Sequence, residues 1–107
     1  MNSSSSIDHK LVRDGIPELI ESEGRVANVR VASSEEYCRL LREKLVEEVD
    51  EFLESGESEE LADILEVVYA LAKSDGIDVA ELEEKRIAKA VARGGFTQRL
   101  VLVMNHR

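Results

Sequence analysis

The chain has 107 residues and a formal charge of −9, with 43% hydrophobic and 35% charged residues, one proline and no tryptophan. A single small domain is expected, with a core modest enough that a partner subunit or a bound ion would help to hold it together. The acidic balance argues against a partner that is a nucleic-acid polymer, because neutralising phosphates requires a basic surface.

No apolar run approaches the ~20 residues of a membrane span. The polar start does not read as a secretory signal, so a cytoplasmic location with no membrane partner is expected. Met1 to Asp8, with the serine run Ser3 to Ser6, reads as a flexible tail, and the domain is taken as residues 9–107. Cys38 is alone, so it forms no intrachain disulfide and reads as a small apolar residue.

Ile16-Pro17-Glu18-Leu19-Ile20-Glu21 places proline where a first helical turn tolerates it, and Gly24 where a helix stops. One or two turns are predicted there. Arg25 to Val31 carries valines at alternating positions 29 and 31, with Val26 off the pattern, so it is either a short extended segment or a connector. Ser33 and Glu36 form a capping-box pattern ahead of Tyr37, Leu40, Leu41, Leu45, Val49, Phe52 and Leu53, which predicts a long amphipathic helix ending near Ser55-Gly56.

Ser58 is placed to cap the next helix, which carries Leu61, Ile64, Leu65, Val68, Leu71 and Ala72 and closes before Gly76. So short a linker predicts an antiparallel hairpin. Asp78 and Glu81 open another helix, running through Ile87 and Val91 to Gly94-Gly95. The apolar tail Leu100 to Met104 is expected to pack on a neighbouring subunit or to form an edge. The predicted fold class is therefore all-α, a helical bundle with a central antiparallel hairpin.

Within that hairpin, Glu48 and Glu51 lie three apart on one helix and Glu60 and Asp63 three apart on the other, a spacing that shares a face. Facing positions in an antiparallel pair have numbers that add to a constant. Glu48 with Asp63, and Glu51 with Glu60, satisfy one constant whose centre falls between Ser55 and Gly56, where the turn signals place the bend. Glu60 shares its strip with Ile64, Val67 and Leu71, and Glu48 lies among Leu41, Leu45 and Phe52, so both border the apolar face.

Acidic groups there repel one another and lose hydration unless a cation or proton compensates. Mg²⁺, a hard ion that bridges carboxylates to phosphates, fits that need, with Mn²⁺ as a substitute. The rival reading pairs Lys44 with Glu48 as an ordinary surface salt bridge, which leaves Glu60 unexplained.

These residues resemble the signature of the MazG-like all-α NTP pyrophosphohydrolases, EExxE followed by ExxD, as Glu47-Glu48-Val49-Asp50-Glu51 and Glu60-Leu61-Ala62-Asp63. The opening Lys10-Leu11-Val12-Arg13-Asp14-Gly15-Ile16-Pro17-Glu18, the stretch from Glu60 to Ala72 and the close Arg93-Gly94-Gly95-Phe96 resemble its short phosphoribosyl-ATP pyrophosphohydrolase-like branch. Gly15 stands where that branch usually has lysine.

The resemblance implies a bundle completed by homo-oligomerisation, as a homodimer or homotetramer, and Mg²⁺ held by Glu48, Glu51, Glu60 and Asp63. It also implies cleavage of a nucleotide substrate between the α and β phosphates. Glu47, Glu48 and Glu51 are the catalytic candidates. Glu47, whose wheel position faces away from the other four, is either an outer base or solvated surface.

A triphosphate needs basic donors as well as a metal. The substrate-binding candidates are Lys10, Arg13 and Asp14 from the opening segment, Lys89 and Arg93 from the last helix, and Phe96 for the base. Lys85, Lys89 and Arg93 recur every four residues and read equally as a solvated face near a helix C-terminus. Of the other aromatics, Tyr37, Phe52 and Tyr69 are expected mainly in the core, and His9 and His106 suggest no metal site.

The expected function is nucleotide clean-up or a biosynthetic step, so a true phosphoribosyl-ATP pyrophosphohydrolase of histidine biosynthesis is the nearest alternative. A non-catalytic helical protein-interaction module is the alternative from another class.

Overall fold

Backbone conformation follows the punctuation of the sequence closely. The computed structural model describes residues 9–104, so the expected tail before His9 and the terminal His106 lie outside the described residues. Four helices and no strand occur among the described residues: α1 (Ile16–Ser22), α2 (Ser34–Ser55), α3 (Ser58–Ser74) and α4 (Val79–Arg93). Residues 25–31 form a connector rather than an extended strand. No helix is long and apolar enough to cross a membrane.

The caps explain where the helices begin and end. Asp78 and Glu81 form the full reciprocal capping box at the start of α4. At α2 only half of the expected box forms. Ser33 Oγ accepts from the Glu36 N–H at 3.2 Å, but the Glu36 carboxylate is taken by Arg30, whose two guanidinium nitrogens donate at 2.7 and 2.6 Å. That charged, bidentate partner outcompetes a neutral backbone N–H. It holds the Glu36 carboxyl below its ordinary range and pins the connector to the head of α2.

Ser58 does not cap α3 as expected; Glu57 is the N-cap and has no side-chain cap bond. Only Gly56 and Glu57 separate α2 from α3. Gly56 takes φ +69°, a left-handed conformation natural to glycine, and donates back to Phe52 O at 2.8 Å. Ser55 Oγ accepts from the Glu57 N–H at 3.1 Å, so the turn is satisfied from the α2 side and the chain re-enters a helix at once.

The principal packing is α2 against α3, while α4 touches α3 more lightly. The buried apolar core comprises Leu40 and Leu41 of α2 and Val67 and Ala72 of α3. On α3 the strip that faces inward is the one shared by Glu60, Ile64, Val67 and Leu71, whereas Leu61 and Leu65, expected inside, are exposed. Leu53 of α2 is likewise exposed rather than in the core. Two apolar stripes thus run along these helices and one is covered.

Dimensions agree with that reading. The radius of gyration is 18.6 Å, against about 13 Å for a compact chain of this length. Accessible surface totals 9487 Å², roughly 3500 Å² more than a compact monomer of 12.0 kDa would show. Leu41 is the most deeply buried core residue, at 3% exposure. Leu41→Ala should therefore destabilise the protein by about 2–5 kcal/mol in urea unfolding.

Candidate metal and phosphate site

The site is built from the covered faces of α2 and α3 and from the opening segment that precedes α1. Carboxylate oxygens of Glu47, Glu48 and Glu51 lie within 4.8 Å of one another, and so do those of Glu48, Glu60 and Asp63. Glu48 belongs to both groups and joins them. Three of the four expected metal-ligating carboxylates, Glu48, Glu60 and Asp63, thus form one group, whereas Glu51, expected to face Glu60, is grouped with Glu47 and Glu48 instead. Glu47, expected to face away, is gathered too. Neighbouring residues on a helix diverge by about 100°, but a glutamate side chain is long enough to swing back when a cation draws it.

Glu48 is the buried charged residue among the described ones, with its side chain 10% exposed. Burial raises its pKa above the ordinary glutamate value; the negative charges of Glu51, Asp63 and Glu47 push the same way, and Lys44 opposes them. Lys44 Nζ lies 3.6 Å from Glu48 and 3.4 Å from Glu47, so the i,i+4 pair considered from the sequence is present. It is not an ordinary surface pair, because one partner is buried.

The opening segment supplies two further cations. Lys10 Nζ donates to Glu47 Oε2 at 2.8 Å, and Arg13 Nη2 donates to Asp63 Oδ1 at 2.8 Å. The Lys10 hydrogen bond is the main reason that the Glu47 carboxyl is held below its ordinary range, with Lys44 adding to it. Adjacent carboxylates on one helix are thus shifted in opposite directions, according to which has a close cation and which is buried.

Ser55 adds a contact with no counterpart in the sequence motifs. Its hydroxyl donates to Glu60 Oε1 at 2.8 Å and fixes that carboxylate from the interhelical turn. A serine in the last turn of a helix is too common to have marked it beforehand.

The remaining expected site residues fall elsewhere. Asp14 is exposed and lines a cavity beside Lys10 and Arg13. Lys89 and Arg93 lie exposed on α4 and form no ion pair among the described residues, and Phe96 is 97% exposed beyond the helix end. None of these three is joined to the carboxylates within the single chain.

No family model matches the chain, and no solved structure matches it. Over 42 residues the chain is 52% identical to an uncharacterised protein of Mycolicibacterium smegmatis (strain ATCC 700084 / mc(2)155). That stretch is 39% of this chain and 43% of that protein. The chain therefore matches less than half the length of its relative.

A carboxyl whose pKa is raised on folding binds protons more tightly in the folded than in the unfolded state. Stability then falls as pH rises through the interval between the two values. Glu48→Gln, measured in chelator at about pH 8, should therefore raise the melting temperature, because it removes the buried charge that opposes folding there. As the pH is lowered through that interval and below the ordinary glutamate value, the two melting curves should converge.

Proposed function

We propose that this chain is a Mg²⁺-dependent nucleoside triphosphate pyrophosphohydrolase that cleaves the α–β bond to give a monophosphate and pyrophosphate. The observation that carries the reading is the buried Glu48 shared by two carboxylate groups. A hard-oxygen donor set crowded around a poorly hydrated carboxylate suits a hard divalent cation. Glu48, Glu51, Glu60 and Asp63, from two sides of an antiparallel helix hairpin, would hold it. When bound, such an ion polarises phosphate oxygens and lowers the pKa of a bound water.

The chain's own residues supply the rest. Lys10 holds the Glu47 carboxyl below its ordinary range and so weakens it as a base; Glu47 would become the acceptor for the proton of an attacking water only once Lys10 turns to substrate phosphate. Ser55 steadies Glu60, so that ligand geometry is set before substrate arrives. Lys10 and Arg13, which pair with Glu47 and Asp63, are the donors that would turn to substrate phosphate. There is no GxxxxGK[ST] loop to cradle a terminal phosphate, so release of orthophosphate is not the expected reaction. Its biological role would be either nucleotide clean-up, such as removal of noncanonical nucleotides, or a biosynthetic step.

The same reading includes a homo-oligomer. Val91 is 82% exposed on α4, and Leu100 to Val103 are all above 80% exposed, in line with the uncovered stripe of Leu53, Leu61 and Leu65. The excess surface well exceeds the ~800 Å² per subunit of a standard interface. A second copy covering these faces would be the counterpart of the missing core, and could bring Lys89, Arg93 and Phe96 to a neighbouring site.

The test is a Mg²⁺ assay across canonical and modified nucleoside triphosphates and phosphoribosyl-ATP, resolving pyrophosphate from orthophosphate. Pyrophosphate and nucleoside monophosphate should appear in equal amounts. Glu60→Gln and Asp63→Asn should each lower the rate by about 10²-fold or more, as expected for loss of an electrostatic stabiliser. Release of nucleoside diphosphate would overturn the mechanism, and turnover confined to phosphoribosyl-ATP would assign the biosynthetic step instead.

For the assembly, light scattering should give a mass of at least twice 12.0 kDa. Val91→Glu should shift it toward the monomer, because a charge in an apolar interface core is costly.

A further inference from the structure

A cavity of about 1000 Å³, broadly open to solvent, lies between the opening segment, the connector and the first turns of α2. Lys10 and Arg13 line it, and these are the side chains whose cationic ends reach Glu47 and Asp63. The cavity and the carboxylate cluster therefore share one cationic border. Its walls combine the apolar side chains of Val12, Val29 and Leu40 with the ring of Tyr37 and the amide of Asn28. Arg30, also in the wall, is held by both oxygens of Glu36, so the connector carrying Asn28 and Val29 is anchored to α2.

We infer that this cavity receives the base and sugar of the nucleotide, while Lys10 and Arg13 at its border direct the phosphates toward the carboxylates. The inference rests on the pyrophosphohydrolase reading and adds to it the place where the nucleoside end binds. A nucleobase has apolar faces and a polar edge, which calls for apolar and aromatic walls with a few placed polar groups. Asn28 offers both a donor pair and an acceptor, so it can read an edge that presents either. The volume is at the upper end of the ~300–1,000 Å³ typical of small-molecule sites, enough for a nucleoside. None of the family-like motif residues within α2 and α3 lines this cavity, so specificity for the base would reside in the opening segment and the connector rather than in the hairpin.

The experiment uses the full chain with Mg²⁺ and measures, by calorimetry, binding of AMP, GMP, CMP and UMP beside binding of inorganic pyrophosphate. Asn28→Ala changes an exposed residue, and Tyr37→Leu keeps an apolar side chain while removing the ring, so each leaves the core of α2 and α3 in place. Both variants should weaken the best-bound monophosphate about tenfold, the scale of one lost hydrogen bond or stacking contact. Pyrophosphate binding should change less than twofold. Asn28→Ala should also narrow the spread of affinities among the four monophosphates.

Unchanged monophosphate binding in both variants, with pyrophosphate binding and hydrolysis intact, would overturn the inference alone. That is also the outcome expected if a segment of a second copy fills the cavity. A wild-type protein that neither binds pyrophosphate with Mg²⁺ nor hydrolyses any triphosphate would overturn the inference together with the reading beneath it.

Discussion

The feature on which the rest of the structure turns is the burial of Glu48 among other acids. A carboxylate taken out of water beside like charges raises the energy of the folded chain unless a cation or a proton answers it. Every neighbouring element can be read as a response. Lys44 reaches it from one turn earlier on the same helix, and Lys10 and Arg13 hold the flanking Glu47 and Asp63, tying the opening segment to α2 and α3. The first residues of the described chain are thus positioned by electrostatics more than by apolar packing, since Lys10 and Arg13 are themselves largely exposed.

Those pairs contribute little stability individually, because an exposed ion pair is worth at most about 1 kcal/mol. Their importance is geometric. They bring the opening segment across the hairpin face, and in doing so they form one wall of the cavity whose other wall is the connector. The connector is held in turn by Arg30 on Glu36, the interaction that displaces half of the capping box at α2. A lost cap bond and a formed wall have the same cause.

Much of this could be read from residue spacing. Helix boundaries followed from Pro17, Ser33, Gly56, Gly76 and the Asp78–Glu81 box, because glycine, proline and capping side chains act over a few residues with little tertiary interference. The approach of Glu48 to Asp63 and Glu60 was anticipated by the three-residue steps and the position of the bend, although spacing by itself admits other registers and also paired Glu51 with Glu60, which are not grouped. What spacing could not resolve was competition. Whether Glu36 bonds its own helix or Arg30, whether Ser55 or Ser58 serves the turn, and whether Glu47 points out or is drawn in are all decided by partners distant in sequence or by backbone geometry. The choice between the two apolar stripes of α3 was equally hidden, because Leu61 and Leu65 are as hydrophobic as Ile64 and Val67.

That second stripe links the economy of the fold to its chemistry. Two long helices in contact can cover only one face of each, and here the covered face carries Glu48, Glu60 and Asp63 as well as the core. Positions given to carboxylates are positions withheld from apolar packing, which is why, among the described residues, the buried apolar set is confined to Leu40, Leu41, Val67 and Ala72. A chain that devotes its best-protected face to acids must find its hydrophobic stabilisation on the opposite one. The exposed leucines of α2 and α3, Ile87 and Val91 of α4 and the apolar segment from Leu100 to Met104 are where further apolar burial is available, and in the proposed homo-oligomer a second copy would supply the complementary surface.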